Sequence, residues 1–498
     1  MKIPNWISSC YHTVQKRLNE VTDASDWPVK DCKVVFEAAQ GDEPPRSMSR
    51  CSIKWLLRCS WDRLTQLVNT ACLFYHGFNI HKIQSAVASH DSLLARAKFS
   101  LSGIPTFLFA THPSTTAAIL KPHRDAGPFI IDNGPGSIFA LISEMLNDKN
   151  LTPDDIIFTC SEEKTKFFHL HLKNEFSSKA IGNYKPQMLS VVNRELESWL
   201  GNKKINVTEA SHHLVCDAMS TVLLGCPDDD RHLAFAMQTF FDYIVAKFSK
   251  KDFDEQKLIT AKNYFWERVL QGIDNKDSFA GRLSRNPELD HEQVKMIIFS
   301  LLFAGTDSSS MSLTYGIYKC AQDDVLPWKA KSEIAKMKDD ISLPCSTPVI
   351  VQQIIRESLR MFTPVVGITR VAREDSVQRS SCDNESVIHF IAKKELLAPS
   401  QNLAARSPLL FPNNPDKFLP ERHEKITSLI SLPWLPFGGG NPCTGWMFYN
   451  VLAETLFTEL LGRYEFSTNI KHEVEQVGSF INKLKEPIYV EDFKSAQK

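Results

Sequence analysis

The chain has 498 residues, of which 43% are hydrophobic, and a formal net charge of −1 at pH 7. This length and apolar content suffice for a large buried core, whereas the near-neutral charge excludes the strongly basic footprint of a typical nucleic-acid-binding protein. The twelve cysteines are scattered without a Cys-x-x-Cys pair, which indicates reduced thiols in the cytosol rather than a disulfide framework.

The N-terminal part is predicted to be an irregular extension over residues 1–60. The moderately apolar stretch from Leu64 to Ile80 predicts an amphipathic helix that either packs on the core or lies at a membrane surface. No run approaches the roughly 20 consecutive apolar residues of a membrane span. The sequence therefore predicts a cytoplasmic protein with at most peripheral membrane contact, although an anchor in a longer gene product stays open.

Helical patterns dominate the middle of the chain. The longest, Glu292 to Ala321, is apolar nearly all round from Ile297 to Ala304, which predicts a centrally buried helix. The other predicted elements are a hairpin around Gly103-Ile104-Pro105, a helix from Pro113 to Leu120, helices over about 155–340, a helix over 345–363, short strands over 371–397, an irregular stretch over 400–435 and a helix from Gly445 to about Leu461. The fold class is therefore mainly α with a minor β sheet, in one large domain over residues 61–498.

Polar residues interrupt this most apolar helix at Ala304-Gly305-Thr306-Asp307-Ser308. Glycine and serine inside a helix loosen its hydrogen-bond ladder. Hydroxyls and a carboxylate that face a cavity are suited to hold water and relay protons. The alternative is that Asp307 caps a second helix beginning there, and the residues alone leave the two readings equally open.

Two charged motifs follow the central helix. Glu357-Ser358-Leu359-Arg360 places opposite charges three residues apart on one helical face, a pairing that is most often solvated. Phe418-Leu419-Pro420-Glu421-Arg422-His423 carries an arginine in an irregular, proline-rich segment. Arg422 either reaches back to a buried Glu357, in a network that is costly to break, or lies in an ordinary surface loop.

Cys443 lies in the loop Phe437-Gly438-Gly439-Gly440-Asn441-Pro442-Cys443-Thr444-Gly445. Glycines let a backbone approach a flat, bulky group, and a cysteine thiolate is one of the few protein ligands for haem iron. The alternative is a tight turn around a buried free cysteine. Basic neighbours matter here, because haem propionates need arginine, lysine or histidine partners.

In this order the four motifs resemble the cytochrome P450 superfamily, the haem-thiolate monooxygenases, over roughly residues 95–470. The resemblance implies an oxidoreductase that inserts one oxygen atom from O2 into a lipophilic small molecule, with haem b as the iron-containing cofactor. It implies electrons from NADPH through a reductase-like flavoprotein that docks near Lys417 and Lys425. It also places the protein in the cytoplasm or peripherally on the cytosolic face of the endoplasmic reticulum.

The resemblance assigns roles to individual residues of this chain. They are Cys443 as the axial iron ligand, Asp307 and Ser308 as catalytic residues for proton delivery, Glu357, Arg360 and Arg422 as a structural triad behind the haem, Ala304 and Gly305 as residues on the distal side of the porphyrin, Arg370 as a propionate partner and His169 as a cofactor-binding residue of the haem-flanking helix.

The chain departs from the family pattern in five places. One is the haem-flanking helix, where Thr165 and His169 fall near the positions of the usual tryptophan and arginine. The spacing from Phe437 to Cys443 is one residue shorter than usual, and Asn441 replaces a basic residue. Tyr449 stands where a small residue is usual, and is expected either to press on the haem face or to turn away. Ser308 replaces a threonine. These departures bear on haem retention rather than on the fold.

Other functions stay open at this point. A haem-deficient P450-like protein without monooxygenase activity follows if the short loop impairs cofactor binding. A P450-type isomerase or dehydratase needs neither O2 nor a reductase, but Asp307-Ser308 argues against it. A zinc site at His169-Leu170-His171 or at His212-His213 lacks the converging ligands that zinc requires.

The substrate is expected to be lipophilic. The apolar stretch from Phe299 to Phe303 predicts an apolar cavity. The expected class is a terpenoid, polyketide or sterol-like molecule of secondary metabolism.

Overall fold

The structure is a computed structural model that describes residues 33–38, 95–97, 107–110, 113–120, 129–131, 133, 137–248, 251–339, 347–365, 369–382, 385–424, 428–429, 432–439, 442–478 and 481–496. Several predictions fall outside these residues and stay predictions. They concern the helix from Leu64 to Ile80, the turn at Gly103-Ile104-Pro105, Asn441, Lys425 and the boundary after residue 60.

The described chain is mainly helical, as predicted. Its α-helices are α1 (Pro113–Leu120), α2 (Ile138–Leu146), α3 (Glu162–Leu172), α4 (Ser178–Trp199), α5 (Val207–Met219), α6 (His232–Phe248), α7 (Glu255–Asp274), α8 (Phe279–Leu283), α9 (His291–Gln322), α10 (Val325–Asp339), α11 (Val349–Met361), α12 (Gln401–Ala405) and α13 (Trp446–Arg463). A π-helical turn, Ser220–Leu224, follows α5, and 3-10 turns lie at Pro153–Asp155 and Pro420–His423. The stretch 400–435, predicted to be irregular, therefore contains a short helix and a turn.

The strands form small sheets. They are β1 (Lys33–Ala38), β2 (Ala95–Ala97), β3 (Phe107–Ala110), β4 (Phe129–Ile131), β5 (Lys204–Asn206), β6 (Arg370–Ala372), β7 (Ser376–Cys382), β8 (Glu385–Ile391), β9 (Leu396–Pro399), β10 (Tyr464–Ser467), β11 (Gln476–Val477), β12 (Lys483–Leu484) and β13 (Tyr489–Ser495). Their orders are β2-β3-β9-β6-β4, β1-β7-β8, β10-β13-β5 and β11-β12. All pairs are antiparallel except β3 with β9.

The chain packs as two compact units. The first comprises residues up to 132 and 367–415, and the second comprises residues 133–366 and 416–498. The first unit holds the sheets that contain β2 and β7, with α1 against a buried apolar cluster that includes Leu108, Ile119 and Leu397. The second unit holds most of the helices and the motifs at Asp307, Glu357, Arg422 and Cys443.

Helix α9 runs through the second unit as its longest helix. Asp290 caps its N-terminus in a reciprocal capping box with Gln293. Its length and apolar composition would suit a membrane span, but 67% of its most apolar window is buried inside the protein. A helix that is apolar nearly all round is stable in such a core position.

Candidate functional site

The cysteine loop closes on itself immediately before α13. The backbone N–H of Cys443 donates to the carbonyl oxygen of Phe437 at 2.8 Å. Gly438 adopts a φ of +82°, a left-handed conformation that favours glycine. Apart from its chain neighbours, no atom of the described residues lies within 4 Å of the position that a Cβ would take there. The loop thus brings the exposed Cys443 to the start of a helix.

Burial and hydrogen bonding act in opposite directions on the thiol of Cys443. The residue is exposed, yet desolvation by the surrounding protein raises the pKa of its thiol above the ordinary value. Hydrogen bonds from the backbone N–H groups of Gly445 and Trp446 oppose this rise. These two N–H groups, at the start of α13, favour negative charge on the sulfur.

One face of α9 is accessible although the helix lies in the core. Ala304 is exposed and Leu301 and Ser308 are half-buried, whereas Phe303 and Asp307 are buried. Residues three and four apart share a helical face, so Leu301, Ala304 and Ser308 form one stripe. The Ser308 hydroxyl donates to the carbonyl oxygen of Ala304 at 2.7 Å, which places this hydroxyl at the stripe.

Gly305 lies beside this stripe and against α5. A Cβ on Gly305 would come within 2.7 Å of Cε and 2.8 Å of Sδ of Met219. The absence of a side chain therefore allows α9 and α5 to approach closely. The prediction that Gly305 borders a porphyrin stays a prediction.

Asp307 is fully buried in the middle of α9. The alternative that Asp307 caps a second helix is wrong, because α9 continues from His291 to Gln322. Lys483 Nζ lies 3.2 Å from Asp307 Oδ2, but its geometry does not make a hydrogen bond, and neither carboxylate oxygen has a hydrogen-bond partner among the residues described. No local feature of the sequence indicates this partner on β12.

The Glu357 network, made of Glu357, Arg360, Arg422, His423 and the backbone of Leu419, is buried behind α11. Arg360 donates from Nε and Nη2 to the two oxygens of Glu357, each at 2.8 Å. Arg422 Nε donates to Oε1 at 3.1 Å, and the Leu419 N–H donates to the same oxygen at 2.8 Å. His423 Nε2 lies 2.7 Å from Oε2. The interpretations of a solvated Glu357–Arg360 pair and of Arg422 in an ordinary surface loop are therefore wrong.

The same network fixes the charge of Glu357. Burial pushes the pKa of Glu357 upward, but the hydrogen bonds from Arg360 and His423 outweigh it and lower the pKa to about 2. Burial lowers the pKa of His423 despite the nearby carboxylate. His423 is not among the site residues predicted from the sequence, although it directly follows Arg422. The 3-10 turn at Pro420–His423 directs the side chains of Arg422 and His423 toward Glu357. The sequence alone does not indicate this turn.

His169 and Arg370 are the two basic residues that the sequence predicts to bind the cofactor. His169 on α3 contacts the cysteine loop, since its Nε2 is 3.2 Å from the Thr444 hydroxyl. Arg370 is buried at the start of β6, where its backbone pairs with Ile131 and Leu397. Contact with a haem stays a prediction for both residues.

Tyr449 turns toward α9. Its hydroxyl shares a hydrogen bond of 2.5 Å with the Ser312 hydroxyl, and its ring centroid lies 5.9 Å from that of Phe437. The bulky side chain therefore connects the cysteine loop and α13 to the central helix. Burial raises the pKa of Tyr449, so the phenol is neutral.

The donor set fits a haem rather than a metal bound by side chains. No group of three or more histidine, cysteine, aspartate or glutamate residues suitable for a metal ion occurs in the described ranges. A haem would bring its own nitrogen ligands and would need a single thiolate from the protein. Cys443, an exposed cysteine whose thiol receives two backbone N–H groups, would supply that thiolate.

Comparisons with known proteins agree with this chemistry. A sterol 14alpha-demethylase of Mycolicibacterium vanbaalenii is 28% identical over 206 residues, which cover 40% of this chain and 42% of that protein. Cytochrome P450 26B1 of Danio rerio is 25% identical over 332 residues, with coverage of 59% and 62%. The mitochondrial cholesterol side-chain cleavage enzyme of Ovis aries is 26% identical over 348 residues, with coverage of 66% and 63%.

The chain thus spans less than two thirds of the length of each of these relatives. The family model for cytochrome P450 matches residues 200–490, more than half of the chain, and includes the motifs at Asp307, Glu357, Arg422 and Cys443. The chain belongs to the cytochrome P450 family.

Proposed function

We propose that this protein is a haem-thiolate monooxygenase that oxidises a lipophilic small molecule. The observation that carries the proposal is Cys443, an exposed cysteine at the start of α13 whose thiol receives two backbone N–H groups. Haem b, when bound, supplies O2 activation and oxygen transfer. The protein supplies the ligand, the cavity and the protons.

Each predicted residue has a defined task in this proposal. Cys443 presents the thiolate, and the Gly445 and Trp446 N–H groups hold its negative charge in place. Ser308, on the accessible stripe of α9, presents a hydroxyl that can pass a proton. Asp307, one residue earlier, is the carboxylate that relays protons toward this hydroxyl.

The remaining residues hold the site in shape. The Glu357 network fixes α11 against the segment that leads to the cysteine loop. Ala304 and Gly305 border the distal face, and His169 is a further cofactor-binding residue. The contact between His169 and Thr444 supports a place for this histidine beside the cysteine loop.

The proposed substrate is sterol-like or another apolar molecule such as a terpenoid or polyketide, in secondary metabolism. The accessible stripe of α9 offers the apolar side chains of Leu301 and Ala304. Phe303 stacks beside it on Phe241 and Phe299, with ring centroids 4.5 and 5.4 Å apart. Two relatives are named for sterol 14alpha-demethylation and cholesterol side-chain cleavage, which favours a sterol-like ligand within this class.

The proposed electron donor is an NADPH-dependent flavoprotein reductase. We place the docking site of this reductase on the side of the protein that carries Cys443, near Lys417. The backbone carbonyl of Lys417 accepts a hydrogen bond from Arg360 at 3.0 Å, and its segment leads into the Glu357 network. We propose a cytoplasmic protein with peripheral attachment to the cytosolic face of the endoplasmic reticulum.

Substrate binding and turnover test this function separately. Purified haem-loaded protein is titrated with a sterol, a terpenoid and a polyketide while the Soret band is recorded, and is then supplied with a reductase and NADPH. The proposal predicts a saturable Soret shift and an oxygenated product that requires both NADPH and O2. Turnover without NADPH would instead indicate an isomerase or dehydratase, and protein that retains no haem would contradict the proposal.

A further inference from the structure

The carboxylate of Asp307 is paired with one cation, Lys483, which lies far from it in the sequence. The Asp307 side chain is fully buried, and Lys483 Nζ is 3.2 Å from Oδ2. Both carboxylate oxygens lack a hydrogen-bond partner within the described residues. A buried carboxylate without hydrogen bonds needs a compensating charge to stay ionised. In the part of the chain that the structure describes, Lys483 supplies that charge.

The element that carries Lys483 is firmly anchored. Lys483 pairs with Val477 in the β11–β12 hairpin. Next to it, the Asn482 N–H donates to the carbonyl oxygen of Pro364 at 2.7 Å, and its side-chain amide donates to Gln476 at 2.8 Å. Gln476 in turn donates to the carbonyl oxygen of Met361 at 2.9 Å. The hairpin is therefore tied to the end of α11, and it presents Lys483 to α9 from a fixed base.

The other titratable neighbours do not replace Lys483. His212 on α5 is buried, its Nε2 has no hydrogen-bond partner among the described residues, and burial lowers its pKa to about 4. At neutral pH His212 is therefore uncharged. Asp242 accepts from Gln238 at 2.7 Å and lies 3.9 Å from Lys257 Nζ.

Lys483 also has a route to water. Its side chain is 25% exposed, and its ammonium lies 5.7 Å from the centroid of the Phe241 ring. Asp307 itself has no exposed surface. The ion pair therefore connects the fully buried carboxylate of Asp307 to the partly exposed ammonium group of Lys483.

We propose that Lys483 is the positioning residue for Asp307: its ammonium keeps the buried carboxylate ionised and holds it at the side of α9 that faces the β11–β12 hairpin. Proton delivery at Ser308 then depends on a contact made from this hairpin. The dependence on proton delivery rests on the proposed monooxygenase function, whereas the ion pair and its effect on the charge of Asp307 do not.

Infrared spectroscopy tests the charge of Asp307 directly. In Lys483→Met the carboxylate loses its compensating charge and takes up a proton, so a carboxylic acid C=O band is expected that the parent protein lacks. The band must be absent from the double variant Lys483→Met/Asp307→Asn and from Lys483→Arg, which preserves the cation. Lys485→Met is the matched control, because Lys485 is 63% exposed and pairs with Glu475 instead. A parent-like infrared spectrum in folded Lys483→Met would overturn the proposal.

A second readout separates this proposal from the proposed function. In reductase-coupled turnover, Lys483→Met is expected to lower product formed per NADPH on the order of tenfold, to the level of Asp307→Asn, with Lys483→Arg restoring most of it. Product yield unchanged in Lys483→Met would refute the positioning role. If the parent protein forms no product at all, the monooxygenase function fails while the infrared result still decides the ion pair. Should Lys483→Met fail to fold, Lys483→Gln serves in the same comparisons.

Discussion

Two buried carboxylates in the second unit are held in opposite ways. Glu357 receives hydrogen bonds from Arg360, Arg422 and the Leu419 backbone, and His423 completes the network. Asp307 has the ammonium of Lys483 and no hydrogen bond among the described residues. Both carboxylates are fully buried, so burial alone does not distinguish them.

The difference separates a structural carboxylate from a reactive one. A fully satisfied buried charge is strongly held and rigidifies its surroundings. A carboxylate with a single ionic partner can exchange a proton or change its orientation at lower cost. Glu357 is therefore expected to act on stability, and Asp307 to act on chemistry.

The largest expected effect comes from breaking the Glu357 network. Glu357→Gln removes the negative charge and leaves two buried or nearly buried arginines without compensation, which costs roughly 3–5 kcal/mol of unfolding free energy. Urea denaturation followed by far-UV circular dichroism measures the loss. Glu197→Gln is a suitable control, because Glu197 is 61% exposed and lies 3.7 Å from Arg463. Equal stability of the two variants would contradict the role of Glu357.

Acid tests the same network without a mutation. The folded pKa of Glu357, about 2, lies below its ordinary value of 4.5, so its contribution is present above about pH 4.5 and is lost as the pH falls through 2. That contribution is roughly 3 kcal/mol at neutral pH. Unfolding free energies measured between pH 5 and 2 should fall steeply in the parent protein and less steeply in Glu357→Gln. Parallel curves would show that Glu357 is not the titrating group.

A smaller loss of stability is expected from the uncharged hydrogen bond between Tyr449 on α13 and Ser312 on α9. Tyr449→Phe removes the hydrogen bond to Ser312 and leaves a buried hydroxyl without that partner, at a cost of about 1–2 kcal/mol. Thermal unfolding of Tyr449→Phe, Ser312→Ala and the double variant measures the coupling. We expect the double variant to lose less than the sum of the single losses, whereas strict additivity would mean that the hydrogen bond contributes nothing.

The smallest effect on stability is expected at Asp307. Asp307→Asn leaves Lys483 without its partner, but this lysine is partly exposed and can turn to water, so the unfolding free energy should change by less than about 1 kcal/mol. Product formed per NADPH should nevertheless fall on the order of tenfold. A loss of stability as large as that of Glu357→Gln would place Asp307 in the structural class and remove the contrast between the two carboxylates.

The sequence predicted what depends on local patterns. The central helix, the helix that carries Glu357 and Arg360, and the helix after Gly445 follow from hydrophobic periodicity and glycine placement, and the structure has all three. The burial of Glu357 and Arg360 did not follow from their spacing, because the same spacing is common on solvated helices. It depends on the turn that brings Arg422 and His423 inward.

Contacts between segments that are far apart in the sequence could not be predicted. Lys483 reaches Asp307 only because the β11–β12 hairpin is tied to the end of α11, and Tyr449 meets Ser312 only because α13 lies near α9. No short sequence motif indicates either of these two contacts. The cap at Asp307 was a sound local interpretation, but it failed because the surrounding core keeps the helix continuous through Gly305 and the serines.

The central claim is that Cys443 binds haem iron through its thiolate. The protein is expressed with a haem precursor, purified, reduced and exposed to carbon monoxide, and its difference spectrum is compared with that of Cys443→Ala. The account predicts the red-shifted Soret band of thiolate ligation in the parent protein and its loss in Cys443→Ala, with unchanged far-UV circular dichroism. A parent protein that carries no porphyrin, or a Soret band without the red shift, would contradict it.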